Sequence, residues 1–341
     1  MSESLTINLG LFVLSATAIA LAGTQMSQVA DRLADKTGIG EALIGALFLG
    51  GSTSLSGIAT SVTAAAEGQP DLAISNALGG IAVQTVFLGI ADFFYRKANL
   101  EHAAASIANL IQATLLVTLL AVPLLGTSSP QFSLWRIHPA SVILVVSYVF
   151  GLRLVSRVQE TAMWKPRETE KTQFDQPEEG QSSRSNLVKL WLWFAVLAVV
   201  IGGSGFLVAQ TGLSISTQTG LSQSVVGGLF TAVVTSLPEL VTTVAAVRRG
   251  ALMLAVGGVI GGNSFDVLLL AFSDLAYAKG SIYPAISETQ VFAIALTILL
   301  TGILLLGLLR REKYGFGNIG FESSLMLTIY VCGYTLLFWS S

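Results

Sequence analysis

The chain has 341 residues, 52% of them hydrophobic and only 11% charged, with a formal net charge of −2 and a mean hydropathy of +0.72. Soluble domains carry about 25% charged residues, so ionised groups are too few here to cover a water-exposed surface, and lipid must supply much of the solvent. The lone cysteine, Cys332, excludes an internal disulfide and a cysteine metal cluster, and nothing in the composition points to a nucleic-acid partner.

Apolar runs of about 20 residues, enough to cross roughly 30 Å of hydrocarbon, fall at 6–30, 40–66, 71–95, 103–126, 137–157, 187–209, 222–247, 251–276, 286–309 and 322–340. They predict an all-α polytopic membrane protein of ten helices. The opening MSESLTINLG has no basic segment before its apolar run, so the first helix is expected to stay rather than be cleaved. The second span carries TSLSGI at residues 53–58, and the third carries the pair Gly79-Gly80 and then Gln84. His102 and His138 fall near the starts of the fourth and fifth spans, far apart in sequence, and read as interfacial anchors rather than ligands.

Residues 158–186, rich in Glu, Gln, Ser and Pro, are the only long polar stretch and read as a linker. Beyond it the sixth span contains Gly202-Gly203-Ser204-Gly205, the seventh contains TSLPEL at 235–240, and the eighth contains GGNSFD at 261–266. Of the 18 Lys and Arg residues, only Arg136 and Lys279 lie in even-numbered loops. Basic residues mark cytoplasmic loops, so the linker is expected to be cytoplasmic and both termini outside, in a plasma or inner membrane.

Sliding the sequence by 182 positions aligns 44–92 on 226–274 without a gap, with 16 identities in 49 positions, including Thr53, Ser54, Leu55, Gly79, Gly80 and Asp92. About one in ten would match by chance in so biased an alphabet. The chain is therefore read as two five-helix repeats, 1–157 and 187–341, joined by the linker 158–186. An odd number of helices per repeat inverts the second relative to the first, as in secondary transporters, whose substrates bind where the halves meet.

The seventh span holds the chemistry. Thr235, Ser236 and Glu239 lie three and four residues apart, on one helix face. Pro238 lacks an N–H and its ring obstructs the carbonyl four residues back, which breaks the helix and frees carbonyl oxygens. In the eighth span Asn263 and Asp266, three apart, face the same way. Carboxylates, hydroxyls and bare carbonyls are hard oxygen ligands suited to sodium or calcium, and an intramembrane carboxylate marks a functional site by default. Asp92 and Asp274 occupy matching places in the two halves and read as interfacial caps or vestibule charges rather than core ligands.

GGLFTAVVTSLPELVTTVAAVRRG followed by LAVGGVIGGNSFDVLLL resembles the second repeat of the cation/calcium antiporter superfamily, the sodium/calcium exchangers. The closing GFESSLMLTIYVCGYTLLF is similar to that family's last helix. The resemblance implies a secondary active antiporter that moves calcium or a related cation against sodium or protons, with no cofactor and no enzyme activity. It implies Thr235, Ser236, Glu239 and Asp266 as ion ligands from the second repeat. From the first it implies Thr53 and Ser54, with Gln84 offering an amide oxygen. Asn263 joins this set from the residue pattern itself. The first repeat departs from the family: Gly57 stands where a second Glu is expected, and Gly80 and Gly262 where serines are expected. A cation-binding protein that has lost exchange therefore stays open as an alternative, and the oligomeric state stays undetermined.

Overall fold

The computed structural model describes residues 4–37, 50–95, 99–129, 133, 136–161, 184–313, 315 and 319–340. Among them the regular structure is helical, with no β-strand. In the first half α1 is Leu5–Thr37, α2 is Leu55–Ala66, α3 is Pro70–Asp92, α4 is the short Leu100–Ala103, α5 is Ile107–Ser128 and α6 is Pro139–Thr161. In the second half α7 is Arg184–Thr219, α8 is Gln223–Thr235, α9 is Leu237–Arg249, α10 is Leu252–Asp266, α11 is Leu268–Ala276, α12 is Glu288–Arg310 and α13 is Phe321–Ser340.

Eight spans among the described residues are long and apolar enough to cross a membrane, α10 with α11 counting as one of them. α8 and α9 make a ninth, bent by 47°. Residues 50–66, which include α2, are the described part of the tenth expected span, whose residues 40–49 lie outside the described ones, as do 162–183 of the expected linker. α7 outruns its expected end at 209 because the polar stretch that follows stays helical. The hydroxyls of Thr211, Ser214, Thr217 and Thr219 each donate to the carbonyl four residues back, so their polarity is met within the helix.

α3 forms the centre: 94% of its most apolar stretch is buried, against 28% for α1 and 33% for α7. The latter two pack along each other at the periphery and meet the core at the two broken helices. Both breaks fall at the same place in the repeat. Ser54 (φ −82°, ψ 5°) interrupts the first copy before α2, and Ser236 (φ −98°, ψ 5°) separates α8 from α9. The proline expected to cause the break is thus not required, because the first copy breaks with Ser56 in its place. Ser56 Oγ instead donates to the carbonyl of Thr235, 2.9 Å away, satisfying an oxygen that the second break exposes.

The 182-residue register extends to atomic contacts. Gly23 of α1 lies against Pro238, where a Cβ would come within 2.3 Å of the proline ring, and its counterpart Gly205 of α7 lies 2.7 Å in the same sense from the carbonyl of Ser56, the counterpart of Pro238. Gly202 and Gly203 have open space beside them. Asp92 at the end of α3 accepts from the N–H groups of Leu100 (2.7 Å) and Gly320 (2.9 Å). Its counterpart Asp274 accepts from Ile282 (2.7 Å) and His138 (2.8 Å), the counterparts of those residues. Each aspartate thus clasps its own repeat's next turn to the start of the other repeat's last helix, in the capping role read from the sequence. Gly23→Val is expected to cost about 1–3 kcal/mol by overpacking, measured as a lowered thermal unfolding midpoint in detergent, while Gly202→Val leaves the midpoint close to wild type.

Candidate cation site

The two breaks, α3 and the end of α10 enclose one small cavity. Ser54 and Gly57 line it from the first broken helix, and Asn76, Gly80 and Gln84 from α3. Thr235, Ser236 and Glu239 line it from the second broken helix, and Asp266 from the end of α10. Room for the centre of a water-sized particle amounts to about 10 Å³, close to the minimum that holds one water.

Local sequence explains how each group arrives there. Glu239 falls in the first turn of α9, where unpaired N–H groups favour negative charge. α8 widens into a π-helical turn over Val226–Thr231, a feature that recurs at functional sites. The turn aims Thr231 and Thr235, four apart, at α3, where Thr231 Oγ1 donates to Asn76 Oδ1 at 2.7 Å and Thr235 Oγ1 more weakly at 3.5 Å. Asn76 Nδ2 in turn donates to Ser61 Oγ at 2.9 Å, so one buried amide ties the α2–α3 pair to the second broken helix.

Gln84 and Asp266 are counterparts in the repeat and touch each other: Gln84 Nε2 donates to Asp266 Oδ2 at 2.8 Å and to Ser236 Oγ at 3.2 Å. The pseudo-two-fold axis therefore passes between them. Among the described residues four oxygens of the cavity lining remain buried without a hydrogen-bond partner: Asp266 Oδ1, Glu239 Oε2, Gln84 Oε1 and the hydroxyl of Ser54. Glu239 and Asp266 are 8% and 5% exposed, and among the described residues neither forms a salt bridge. Buried acceptors in such number without donors are rare, and each buried charge costs several kcal/mol unless balanced. A cation or protons would balance both.

Six of the eight residues expected from sequence therefore line the cavity: Ser54, Gln84, Thr235, Ser236, Glu239 and Asp266. Thr53 does not; its hydroxyl donates to the carbonyl of Gly50 at 3.1 Å. Asn263 turns away as well, donating to Thr85 Oγ1 at 2.9 Å between α10 and α3. Asn76 was missed, although it lies with Gly80 four and eight residues ahead of Gln84, along one broad flank of α3. Where the resemblance expects a second Glu, Gly57 faces Leu269, whose methyl would be 3.2 Å from an added Cβ. Gly262, lacking the expected serine, faces Gln84 Oε1 and leaves it undonated.

Two inverted helical repeats around a buried carboxylate pair define an integral membrane protein of the class that includes secondary transporters. A model of the sodium/calcium exchanger protein family matches residues 7–156 and 189–339, and the chain belongs to that family. It is 29% identical over 314 residues to the putative antiporter CaxA of Alkalimonas amylolytica, covering 92% of each protein. It is 24% identical over 250 residues to inner membrane protein YrbG of Escherichia coli (strain K12), covering 72% of this chain and 73% of that one. Among solved structures, the H+/Ca2+ exchanger CAX shares the fold with a TM-score of 0.67 at 14% identity, over 98% of this chain and 86% of that one. The sodium-calcium exchanger NCX_Mj shares it with a TM-score of 0.62 at 19% identity, over 97% and 99%.

Asn76→Ala removes a buried amide that accepts from Thr231 and donates to Ser61, and is expected to cost about 1–3 kcal/mol. In a double-mutant cycle with Thr231→Val the two losses should fall short of additive, as read from unfolding midpoints.

Proposed function

We propose that the chain is a secondary active cation antiporter exchanging calcium, or a related cation, for sodium or protons by alternating access. The observation that carries this reading is the pair Glu239 and Asp266, buried around one small cavity with undonated oxygens and without a basic partner among the described residues. The charge of −2 is matched by one divalent cation or by two monovalent ions taken in turn. Ser236 and Thr235 add oxygens from the second break, and Ser54 and Gln84 add them from the first repeat. Thr53 and Asn263 lie outside the cavity lining and are not needed as ligands in this reading. The names of the relatives, an antiporter and exchangers of calcium for protons or sodium, support the same class of cargo.

Access alternates in this reading by movement of α1 and α7 over the core. Gly23 and Gly205 give each of them a contact without a side chain at the broken helix it crosses. The chain divides into a first repeat 1–157, a linker 158–186 and a second repeat 187–341, a division supported by the two blocks of the family match. The concentration of Lys and Arg at one end of the helices supports a cytoplasmic linker and outer termini. The second reading, a cation-binding protein without exchange, is favoured by Leu269 filling the place of the first-repeat carboxylate.

Proteoliposome flux separates the two. Sodium- or proton-driven calcium uptake, lost in Glu239→Gln and in Asp266→Asn, is the outcome expected of exchange; calcium binding without flux for any of these cations selects the second reading. Gly57→Glu combined with Leu269→Ala, which makes room for the new side chain, should raise calcium affinity about tenfold or more, the equivalent of one charge-assisted contact. Unchanged affinity would contradict the site geometry.

A further inference from the structure

The two aspartate clasps are built on one plan, but their second residues differ. At the end bearing Lys279, the residue after Ile282 is Tyr283. Its ring packs on His138 with centroids 4.7 Å apart, and its hydroxyl lies 3.4 Å from Ser141 Oγ. At the end bearing Arg248 and Arg310, the residue after Leu100 is Glu101, the counterpart of Tyr283, and it accepts a hydrogen bond from Ser323, the counterpart of Ser141. Gly320, opposite Glu101, takes the place of His138, and an added Cβ there would come within 2.6 Å of Glu101 Oε2. One clasp thus holds a single carboxyl and a phenol, and the other holds two carboxyls.

Glu101 is 4% exposed. Among the described residues its Oε2 has no hydrogen-bond partner and no basic group forms a salt bridge with it. Among the described residues the charged and titratable groups around it are few. α3 contributes Asp92, whose two oxygens are taken by backbone N–H groups. α13 contributes Glu322, paired with Arg310 of α12 at 3.1 Å. His102, on the same short helix, holds the carbonyl of Arg311 through Nδ1, and Lys313 receives the N–H of Asn99 on its carbonyl. α10, which also packs on α4, has no ionisable side chain before Asp266 at its far end.

We propose that Glu101 is a proton-binding residue outside the cation cavity, and that its proton sets how firmly the Asp92 clasp holds the start of α13. With the proton on, Glu101 is neutral beside Asp92 and keeps the Ser323 bond. With the proton off, a further negative charge without a basic partner among the described residues is buried beside Asp92, and the α4–α13 contact loosens. The other clasp has no such carboxyl, so the response belongs to one end of the molecule. Burial pushes the Glu101 carboxyl above its ordinary 4.5, with Glu322 adding to the rise and the Ser323 bond opposing it. A raised acid contributes stability that is complete below about 4.5 and is lost as pH rises through the folded-state value.

The test uses the purified full chain in detergent and does not depend on transport. Glu101→Gln keeps the acceptor for Ser323 and cannot ionise. Its unfolding midpoint should match wild type in acid and exceed it increasingly as pH rises, and hydrogen exchange at 321–325, corrected for intrinsic rate, should accelerate with pH in wild type only. The infrared band of a protonated carboxylic acid should persist in wild type to a higher pH than an ordinary glutamic acid allows, and that persistence should be lost in Glu101→Gln. The exposed Glu288→Gln serves as control and follows wild type throughout. Parallel pH profiles for wild type and Glu101→Gln, or an infrared spectrum unchanged by the substitution, would overturn the proposal whether or not the chain proves to be an antiporter.

Discussion

Two buried carboxyl groups without a basic partner among the described residues govern this structure. Glu239 and Asp266 converge on a cavity that admits one water at most, and each leaves an oxygen without a donor among the described residues. In an apolar surround that arrangement is unfavourable unless something positive completes it. The hydroxyls and the Gln84 amide do not neutralise the charge; they fix its position. Gln84 Nε2 holds Asp266 by one oxygen and leaves the other for a ligand.

Much of the remaining architecture serves to place these groups. The helices break at Ser54 and Ser236, and each break is supported by the opposite repeat. Ser56 meets the exposed carbonyl of Thr235, and Gly23 of α1 packs on Pro238. Asn76 ties the hydroxyls of the second broken helix to the first repeat. The aspartate clasps repeat that logic at the two ends, joining each repeat's turn to the other's last helix. The halves are thus interlocked rather than merely adjacent, which is why one register of 182 residues describes both the sequence and the contacts.

The spans, the duplication and the carboxylate-bearing motifs were legible in the sequence because each rests on a local pattern: apolar length, identity at a fixed shift, hydroxyls and acids at helical spacing. What was not legible depends on contacts between distant segments. The break in the first copy needs no proline, because Ser54 adopts the same backbone geometry as Ser236. Asn263 shares a face with Asp266 by spacing, yet Thr85 of another helix offers it a partner and draws it from the cavity. Asn76 accepts from Thr231, which lies in the π-helical turn, and a single-residue widening of that kind leaves no periodic signal. The polar end of α7 misled for the opposite reason, since hydroxyls that bond to their own helix do not end it.

The asymmetry between the repeats is where this chain departs from its family's pattern. The hydroxyl of the first copy persists at Ser54, while its carboxylate position is Gly57, closed over by Leu269. All the charge of the cavity therefore comes from one repeat. Equilibrium binding of radioactive calcium to the purified protein tests this account most directly. It predicts a single-site isotherm that Asp266→Asn and Glu239→Gln each abolish and that Asn263→Ala leaves in place; calcium binding that survives both carboxylate substitutions would contradict it.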